Sequence, residues 1–284
     1  MIVCRSAAEL ERLARVNQLV ARVLGELRDM VQPGVTTAAL DEVAEMRLRE
    51  ADAQPAFKGY HGYPATICAS VNEQVVHGIP SARALVEGDI LSIDMGANLD
   101  GFFGDCAVTV PVGEIDKDAA RLLQVTEAAL YRGIEQVRAG ARVSDIGAAV
   151  QAYVEAAGFS VVREFVGHGI GTKLHEEPQI PNYGTPGRGP RLAEGMVLAI
   201  EPMVNFGKAG VKVLGDGWTA VTRDGSLSAH FEHTVVVVNG GSRILTSLPG
   251  TTDANVGVER GAETQARRDG LEPSTRLDSR GAGL

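Results

Sequence analysis

Residues 87–94 read Glu-Gly-Asp-Ile-Leu-Ser-Ile-Asp, and residues 194–201 read Glu-Gly-Met-Val-Leu-Ala-Ile-Glu. Both strings open with Glu-Gly, pass through an apolar pair, a small residue and isoleucine, and end in an acid, at positions 94 and 201, an offset of 107. Upstream, a Val-x-x-Gly string at 31–34 recurs at 137–140, an offset of 106. Solenoid repeats have periods of about 20–50 residues, so this longer period predicts a duplicated half-domain.

The acids that end the two strings lie on apolar segments, where an ionised carboxylate needs a partner. They are Asp94 in the first half and Glu201 in the second. A His-Gly-Ile triplet also occurs in each half, beginning at His77 and at His168. An acid carried on a buried strand in both halves predicts a site on a pseudo-two-fold axis.

The composition is typical of a soluble globular protein and argues against a nucleic-acid partner. Of 284 residues 44% are hydrophobic, and the net charge is −9, whereas nucleic-acid binders favour a basic face. The N-terminus lacks the apolar core of a signal peptide, and no apolar run approaches the ~20 residues that span a membrane. Cys4, Cys68 and Cys106 have no zinc-ribbon spacing, so neither disulfides nor structural zinc are expected. The cytoplasm is the compartment that these features favour.

Each half is predicted to contain two helices followed by strands. Apolar residues recur at helical spacing in four segments, at about 6–33, 37–48, 117–138 and 143–157. Short strands are predicted near 65–70, 74–77, 89–95 and 102–110, and a strand-rich stretch runs from 161 to about 247. The dipeptide Asp100-Gly101 is a turn signal that joins two of these strands into a hairpin.

Helices grouped beside a largely antiparallel sheet make an α+β fold. We predict one domain over residues 1–248, with half-repeats at about 6–112 and 113–248. Residues 249–284 contain no aromatic residue and many Gly, Thr, Ser and charged residues, a composition that cannot bury a core. A disordered tail is expected there, and its deletion should change neither the melting temperature nor the turnover.

Acids on the predicted hairpin indicate a cation site. Asp94 and Asp105 stand on either side of the turn, and hairpin strands lie about 4.7–4.9 Å apart, so the two carboxylates can approach each other. Two such carboxylates repel unless they share a proton or a cation. With His168, Glu201 and Glu232 the set contains four acids and one imidazole, which suits divalent Mn, Fe, Co or Zn. Four acids also carry enough charge for two such ions.

Each residue taken singly has a structural alternative. Asp105 beside a turn fits a turn or capping residue, and Glu232 before a valine run fits a solvated strand acid. His168 amid glycines is also uninformative by itself. The pairing of Asp94 with Glu201 inside the duplicated strings favours the metal site.

Eight short segments stand out in chain order: Tyr60-His61-Gly62-Tyr63-Pro64, Val76-His77-Gly78-Ile79-Pro80, Ile93-Asp94, Gly104-Asp105, Gly167-His168-Gly169-Ile170-Gly171, His175-Glu176-Glu177-Pro178, Ile200-Glu201-Pro202-Met203 and Phe231-Glu232-His233-Thr234. In sequence and in order they resemble those of the type I methionine aminopeptidases. The match covers about residues 6–247. It implies the pseudo-symmetric "pita-bread" α+β fold, which the duplication predicts independently.

The resemblance also implies a role for each site residue. Two divalent metal ions, whether Co, Mn, Fe or Zn, would be held by Asp94, Asp105, His168, Glu201 and Glu232, with Asp105 and Glu232 bridging the ions. Glu201 would also act as the general base. His175 would stabilise the developing oxyanion, and His77 would bind near the scissile nitrogen and assist the leaving amine.

An apolar methionine pocket is implied at Tyr60, Tyr63, Cys68 and Trp218, for which plain core packing is the alternative. Cys68 is expected to line the pocket as a small hydrophobic residue, because nothing beside it would lower its pKa. The chain departs from many relatives at Leu174, where they carry phenylalanine. The methionine pocket is therefore expected to be roomier or less rigid on that side.

The implied activity is removal of the initiator methionine from peptides and nascent chains whose second residue is small. The expected partners are the peptide N-terminus and, transiently, the ribosome, with no nucleic acid or membrane required and a monomeric protein. The chain begins Met1-Ile2, so it should retain its own methionine.

Three alternatives use the same fold. Prolidase-like enzymes carry a large additional N-terminal domain, for which the residues before Tyr60 leave no room. Type II methionine aminopeptidases carry an inserted helical subdomain, for which the interval from His175 to Glu232 is too short. A non-catalytic binding protein would have lost metal ligands, whereas all five are present.

Overall fold

The computed structural model describes residues 1–247 and the backbone of Asn255–Val256. Four helices are formed by Ala7–Met30 (α1), Thr37–Glu50 (α2), Lys117–Ile134 (α3) and Val143–Ala156 (α4). The strands are Gln54–Pro55 (β1), Ile67–Val71 (β2), Gln74–Val76 (β3), Ile90–Leu99 (β4), Phe102–Pro111 (β5), Ser160–Val161 (β6), Gly167–Gly169 (β7), Glu176–Ile180 (β8), Val197–Ile200 (β9), Met203–Asn205 (β10), Val211–Val213 (β11), Ala220–Thr222 (β12), Ser228–His230 (β13), Glu232–Val238 (β14), Gly241–Ile244 (β15) and Asn255–Val256 (β16). Helix α3 ends four residues before its predicted end at 138.

The central sheet runs in the order β1-β4-β5-β14-β9-β7-β8, with β2 pairing β4 and β15 pairing β14. Every pairing of described strands is antiparallel, as the α+β prediction requires. One hydrophobic core lies under α1 and α2, and a second lies under α3 and α4. Helices α1 and α3 pack directly on strands of the sheet. The opposite face of the sheet therefore borders the space in which the site forms.

Backbone hydrogen bonds confirm the duplication at the start of each eight-residue string. Gly88 has φ 91° and donates its N–H to the carbonyl of Val112 at 3.0 Å. Gly195 has φ 84° and donates to the carbonyl of Val237, also at 3.0 Å. Both positions lie in the left-handed region that glycine adopts without steric penalty. The two strings thus enter the sheet through the same turn.

The segments upstream correspond in the same way. Gly34 donates to Leu85 at 2.8 Å, and Gly140 donates to Leu192 at 2.8 Å. Helices α2 and α4 begin at 37 and 143 and end at 50 and 156, an offset of 106 at both ends. The His-Gly-Ile triplets do not correspond, because His168 lies on β7 whereas His77 follows β3 with φ 61°.

The β4–β5 hairpin determines how the first two acids face each other. Asp100 and Gly101 have φ values of 53° and 79°, the pattern of the two-residue turn that their sequence predicts. Asp94 is paired with Ala107, and Asp105 is paired with Gly96. The two acids therefore lie on one face as diagonal neighbours, two residues apart along the ladder, and not directly opposite each other.

The predicted tail lies outside the described residues except for β16, which pairs with Ser242 and Arg243 of β15. Among residues 1–247, none of the helices is both long and apolar enough to cross a membrane.

Candidate active site

A cavity of about 330 Å³ opens beside the centre of the main sheet. It is lined by every residue that the sequence singled out, namely Tyr60, Tyr63, Cys68, His77, Asp94, Asp105, His168, His175, Glu201, Trp218 and Glu232. Acids and imidazoles come from both halves of the chain. The structure thus brings together residues that lie up to 172 positions apart, at 60 and 232.

The order of the strands explains the convergence. Asp105 lies on β5, Glu232 begins β14, and Glu201 directly follows β9, so three adjacent strands each carry one acid. His168 lies on β7, which pairs with β9. Asp105, His168 and Glu232 are all buried, and one ligand atom from each lies within 4.8 Å of the others.

His168 faces this cluster with an unprotonated nitrogen. Its Nδ1 lies 2.9 Å from the carbonyl oxygen of Gly169, which can only accept, so Nδ1 carries the proton. Nε2 therefore presents a lone pair 3.5 Å from Oε1 of Glu201 and 3.9 Å from Oδ2 of Asp105. Burial lowers the pKa of His168 to about 3, which keeps the ring neutral. Lone pairs of an imidazole and two carboxylates that point at one place form a favourable arrangement only when a cation lies between them.

The acids themselves need either a proton or a cation to compensate their charge. Asp94 Oδ1, Asp105 Oδ1 and Glu232 Oε1 are buried and accept no hydrogen bond from any described residue. Burial raises the pKa of Asp94 to about 7 and raises the pKa values of Asp105 and Glu232, the latter two further through neighbouring carboxylates. An oxygen-rich donor set with one imidazole and no thiolate suits hard or borderline divalent metals. The residues present fit such a metal site.

Glu201 also has a raised pKa, caused first by burial and then by Asp94. Its backbone carbonyl accepts a hydrogen bond from Asn182 at 3.0 Å. The carboxyl group thus lies inside the cluster. Its raised pKa means that it takes up a proton at a higher pH than an exposed glutamate does. That property suits a general base as well as a ligand.

Two further imidazoles stand beside the acids. Nδ1 of His175 lies 2.8 Å from the Tyr60 hydroxyl, and its ring centroid is 4.3 Å from that of His168. His77 packs edge-on against Phe165, with centroids 5.3 Å apart. Burial lowers the pKa values of both His175 and His77, so both rings are neutral hydrogen-bonding groups at pH 7.

The apolar part of the cavity is built around Tyr63. Its hydroxyl lies 3.0 Å from the carbonyl oxygens of both Ile67 and Gly78, and its ring packs edge-on against Trp218 at 5.1 Å. Cys68 is buried opposite Asp94 in the β2–β4 ladder, and burial raises the pKa of its thiol. Cys68 is therefore a neutral thiol at pH 7, as its sequence context predicts.

Several lining residues were not predicted from the sequence: Phe57, His61, Val76, Phe165, Val166 and Met203. His230 was also missed. It is buried, and its unpartnered Nε2 lies 3.9 Å from Oε2 of Glu201. The alternation of a single strand could not have identified it, because His230 ends β13 whereas Glu232 begins β14.

The pseudo-symmetric sheet and its buried cluster of acids and imidazole define a metal-dependent hydrolase. Residues 11–239 match the family model described as metallopeptidase family M24. The chain belongs to that family and, within it, to the methionine aminopeptidases. The resemblance to the type I enzymes is confirmed.

The relatives cover nearly the whole described chain. Methionine aminopeptidase 1 of Bacillus subtilis (strain 168) is 52% identical over 248 residues, which are 87% of this chain and 100% of the relative. Methionine aminopeptidase 1 of Mycobacterium tuberculosis (strain CDC 1551 / Oshkosh) is 48% identical over 249 residues, covering 85% and 94% of the two chains.

Solved structures agree with the predicted fold class. The crystal structure of methionine aminopeptidase from Thermotoga maritima superposes with a TM-score of 0.86 at 46% identity, covering 87% of this chain and 100% of that one. The Xaa-Pro dipeptidase from Bacillus anthracis, at 20% identity and a TM-score of 0.70, shares the fold; this chain covers 63% of it.

Proposed function

We propose that this protein removes the N-terminal methionine from peptides and nascent chains whose second residue is small. The observation that carries the proposal is a cluster of buried acids, three of which have an oxygen without a hydrogen-bond partner, lining a largely apolar cavity of about 330 Å³. Such a cavity has room for one unbranched apolar side chain beside the reacting bond. The relatives that bear the name methionine aminopeptidase support the same substrate.

Two divalent ions would be held by Asp94, Asp105, His168, Glu201 and Glu232, with Asp105 and Glu232 shared between them. When bound, the ions supply Lewis acidity toward the carbonyl of the first residue and lower the pKa of water. Availability selects among Co, Mn, Fe and Zn, because oxygen and nitrogen ligands accept all four.

The remaining steps fall to this chain's own side chains. Glu201 receives the proton of the attacking water, because its carboxylate lines the cavity inside the cluster, 3.5 Å from Nε2 of His168. A Tyr60 hydroxyl that donates to Nδ1 of His175 leaves the ring proton on Nε2, which then donates to the developing oxyanion. When the amide C–N bond breaks, the departing nitrogen takes up the proton that Glu201 accepted from the water. His77 lies beside that nitrogen and hydrogen-bonds to it through its neutral imidazole.

Tyr63, Cys68 and Trp218 would bind the methionine side chain, together with Tyr60 at the cavity's rim. Leu174, 2% exposed, forms part of the same wall. A β-branched second residue would displace the scissile carbonyl, and displacements of about 1 Å from reactive geometry can cost 10²-fold in rate. We further propose that the protein acts as a monomer in the cytoplasm and contacts the ribosome transiently.

Release of free methionine tests the proposal directly. The tripeptides Met-Ala-Ser and Met-Ile-Ser should be compared at equal concentration, before and after chelation and after addition of Mn, Co, Fe or Zn. We expect rapid, metal-dependent release from the first peptide and at least about 10²-fold slower release from the second. Comparable kcat/KM values for the two peptides would contradict the size restriction. The same restriction predicts that the intact mass of the purified protein includes Met1, because Ile2 follows it.

Three histidine variants distinguish the proposed metal ligand from the two histidines that are proposed to act on the substrate. His168→Ala should lose metal affinity, because its Nε2 lone pair faces the acids. His175→Ala and His77→Ala should retain metal and lose about 10²–10³-fold in kcat, the usual effect of removing one transition-state donor. Equal loss of metal in all three variants would show that the assignment of roles is wrong.

A further inference from the structure

A buried ion pair joins the N-terminal arm, residues 1–5, to the loop that carries His175. Arg5 pairs with Oε2 of Glu176, and the exposed fractions of the two side chains are 5% and 11%. Nη1 of Arg5 also lies 3.6 Å from Glu9 in the first turn of α1. Charged side chains are rarely buried without a partner, so this pair fixes two distant segments to each other.

The other oxygen of Glu176 closes the loop on its own backbone. Oε1 accepts the N–H of Thr172 at 2.9 Å and the N–H of Lys173 at 3.1 Å. One carboxylate thus binds the start of loop 171–175 and Arg5 at once. His175 is the last residue of this loop and directly precedes Glu176, so its backbone position depends on where this carboxylate is held.

The surrounding backbone is shaped to admit Arg5. A Cβ on Gly171 would collide with the Arg5 guanidinium. The backbone N–H of Arg5 donates to the carbonyl of Gly195 at 2.8 Å, and a Cβ on Gly195 would lie 2.8 Å from the Arg5 carbonyl oxygen. Two glycines therefore leave the space that the arm occupies, and a side chain at either position would force Arg5 to shift.

We propose that Arg5 and Glu176 are positioning residues for His175, a role that rests on the function proposed above for that histidine. The Tyr60 hydroxyl holds the imidazole ring, and the ion pair holds the adjoining backbone at Glu176. Neither charged residue lines the cavity, so neither touches the substrate or the metals. Their effect on the reaction passes through the placement of one hydrogen-bond donor.

The test uses the full chain with its native N-terminus and any purification tag at the C-terminus. Arg5→Met removes the charge but keeps an aliphatic stem, and Glu176→Gln removes the opposite charge. We expect each to lower kcat for Met-Ala-Ser on the order of 10²-fold, as for a misplaced catalytic group, with KM and metal stoichiometry unchanged. Arg5→Lys should recover most of the kcat, because it restores the charge.

Two comparisons make the test specific. Arg15→Met is the matched control, since Arg15 pairs with Asp100 on the surface and should leave kcat unchanged. In a His175→Ala background, Arg5→Met should lower kcat no further, because the group it positions is gone. The double variant Arg5→Met/Glu176→Gln leaves no unpaired buried charge, so it should fold and still show the reduced kcat.

The positioning role is overturned if Arg5→Met and the double variant keep kcat near that of the wild type. It is also overturned if Arg5→Met lowers kcat by the same factor with and without His175, or if metal is lost in parallel with kcat. A wild-type protein that releases no methionine would instead defeat the proposed function. The two failures are thereby distinguishable.

Discussion

The two copies of the eight-residue string enter the sheet alike and leave it differently. Asp94 lies inside β4, is paired with Cys68 on one side and with Ala107 on the other, and the strand continues to Leu99. Glu201 follows the last residue of β9 and precedes Pro202, which has no N–H to continue a ladder. The first copy ends in the middle of a strand, and the second ends a strand.

This difference shows how a duplicated backbone can place its candidate metal ligands differently in the two halves. In the first half the continuing strand turns at Asp100-Gly101 and returns Asp105 to the same face. In the second half the chain leaves after Glu201, and the further acid arrives later, on β14, as Glu232. The symmetric part places one acid per half, and the asymmetric continuation places the rest.

The largest expected effect tests the acid that only the hairpin supplies. Asp105→Asn should reduce turnover to below about 1%, because a buried carboxylate that is proposed to hold the metals loses its charge while the ladder keeps its hydrogen bonds. Turnover at saturating metal and a thermal melt should be recorded together. The matched control is Asp100→Asn in the turn of the same hairpin, where asparagine also tolerates the φ of 53° and activity should persist.

If Asp105→Asn retained more than a few per cent of turnover, Asp105 would be a turn or capping residue and not a metal ligand. The two-metal proposal would then be wrong.

An exchange of acid lengths sharpens the comparison between the copies. Glu201→Asp withdraws a carboxylate by one methylene at a strand end and should lower kcat about 10²-fold with little change in melting temperature. Asp94→Glu adds a methylene inside a strand that is paired on both sides, which should cost about 1–3 kcal/mol of stability in addition to activity. The measurements are kcat and the free energy of unfolding in urea. Equal stability of the two variants would show that the strand-interior and strand-end positions do not differ.

The smallest expected effect concerns the glycines that open the two strings. Gly88→Ala should destabilise by about 1–2 kcal/mol, the cost of a left-handed φ for an L-residue. Gly195→Ala should cost more, because its Cβ would also lie 2.8 Å from the Arg5 carbonyl oxygen, whereas at Gly88 the nearest atom is 4.0 Å away. Urea midpoints measure both. Equal shifts of the urea midpoint in the two variants would mean that the N-terminal arm moves aside freely. Gly34→Ala is the control for backbone strain alone, because the space around its Cβ is open.

Much of the site could be predicted because its signals are local in the sequence. The duplicated strings identified Asp94 and Glu201, the turn dipeptide identified the hairpin that carries Asp105, and eight motifs in register identified the family. Each of these depends on residue type and spacing within a few positions. The diagonal offset of Asp94 and Asp105 could not be obtained in that way, since it depends on the register that the turn imposes.

By itself, therefore, the sequence determined the two-fold duplication, the helices and strands of each half, the family and, apart from His61 and His230, the acids and histidines of the candidate site. Only the tertiary structure decided that β5, β14, β9 and β7 stand side by side and so bring Asp105, Glu232, Glu201 and His168 together. It also decided that Phe57 and Phe165 complete the cavity and that Arg5 reaches the loop of His175. The physical reason is that strand order and buried ion pairs join residues far apart in the chain, and such pairings follow from the packing of the whole fold rather than from any local pattern.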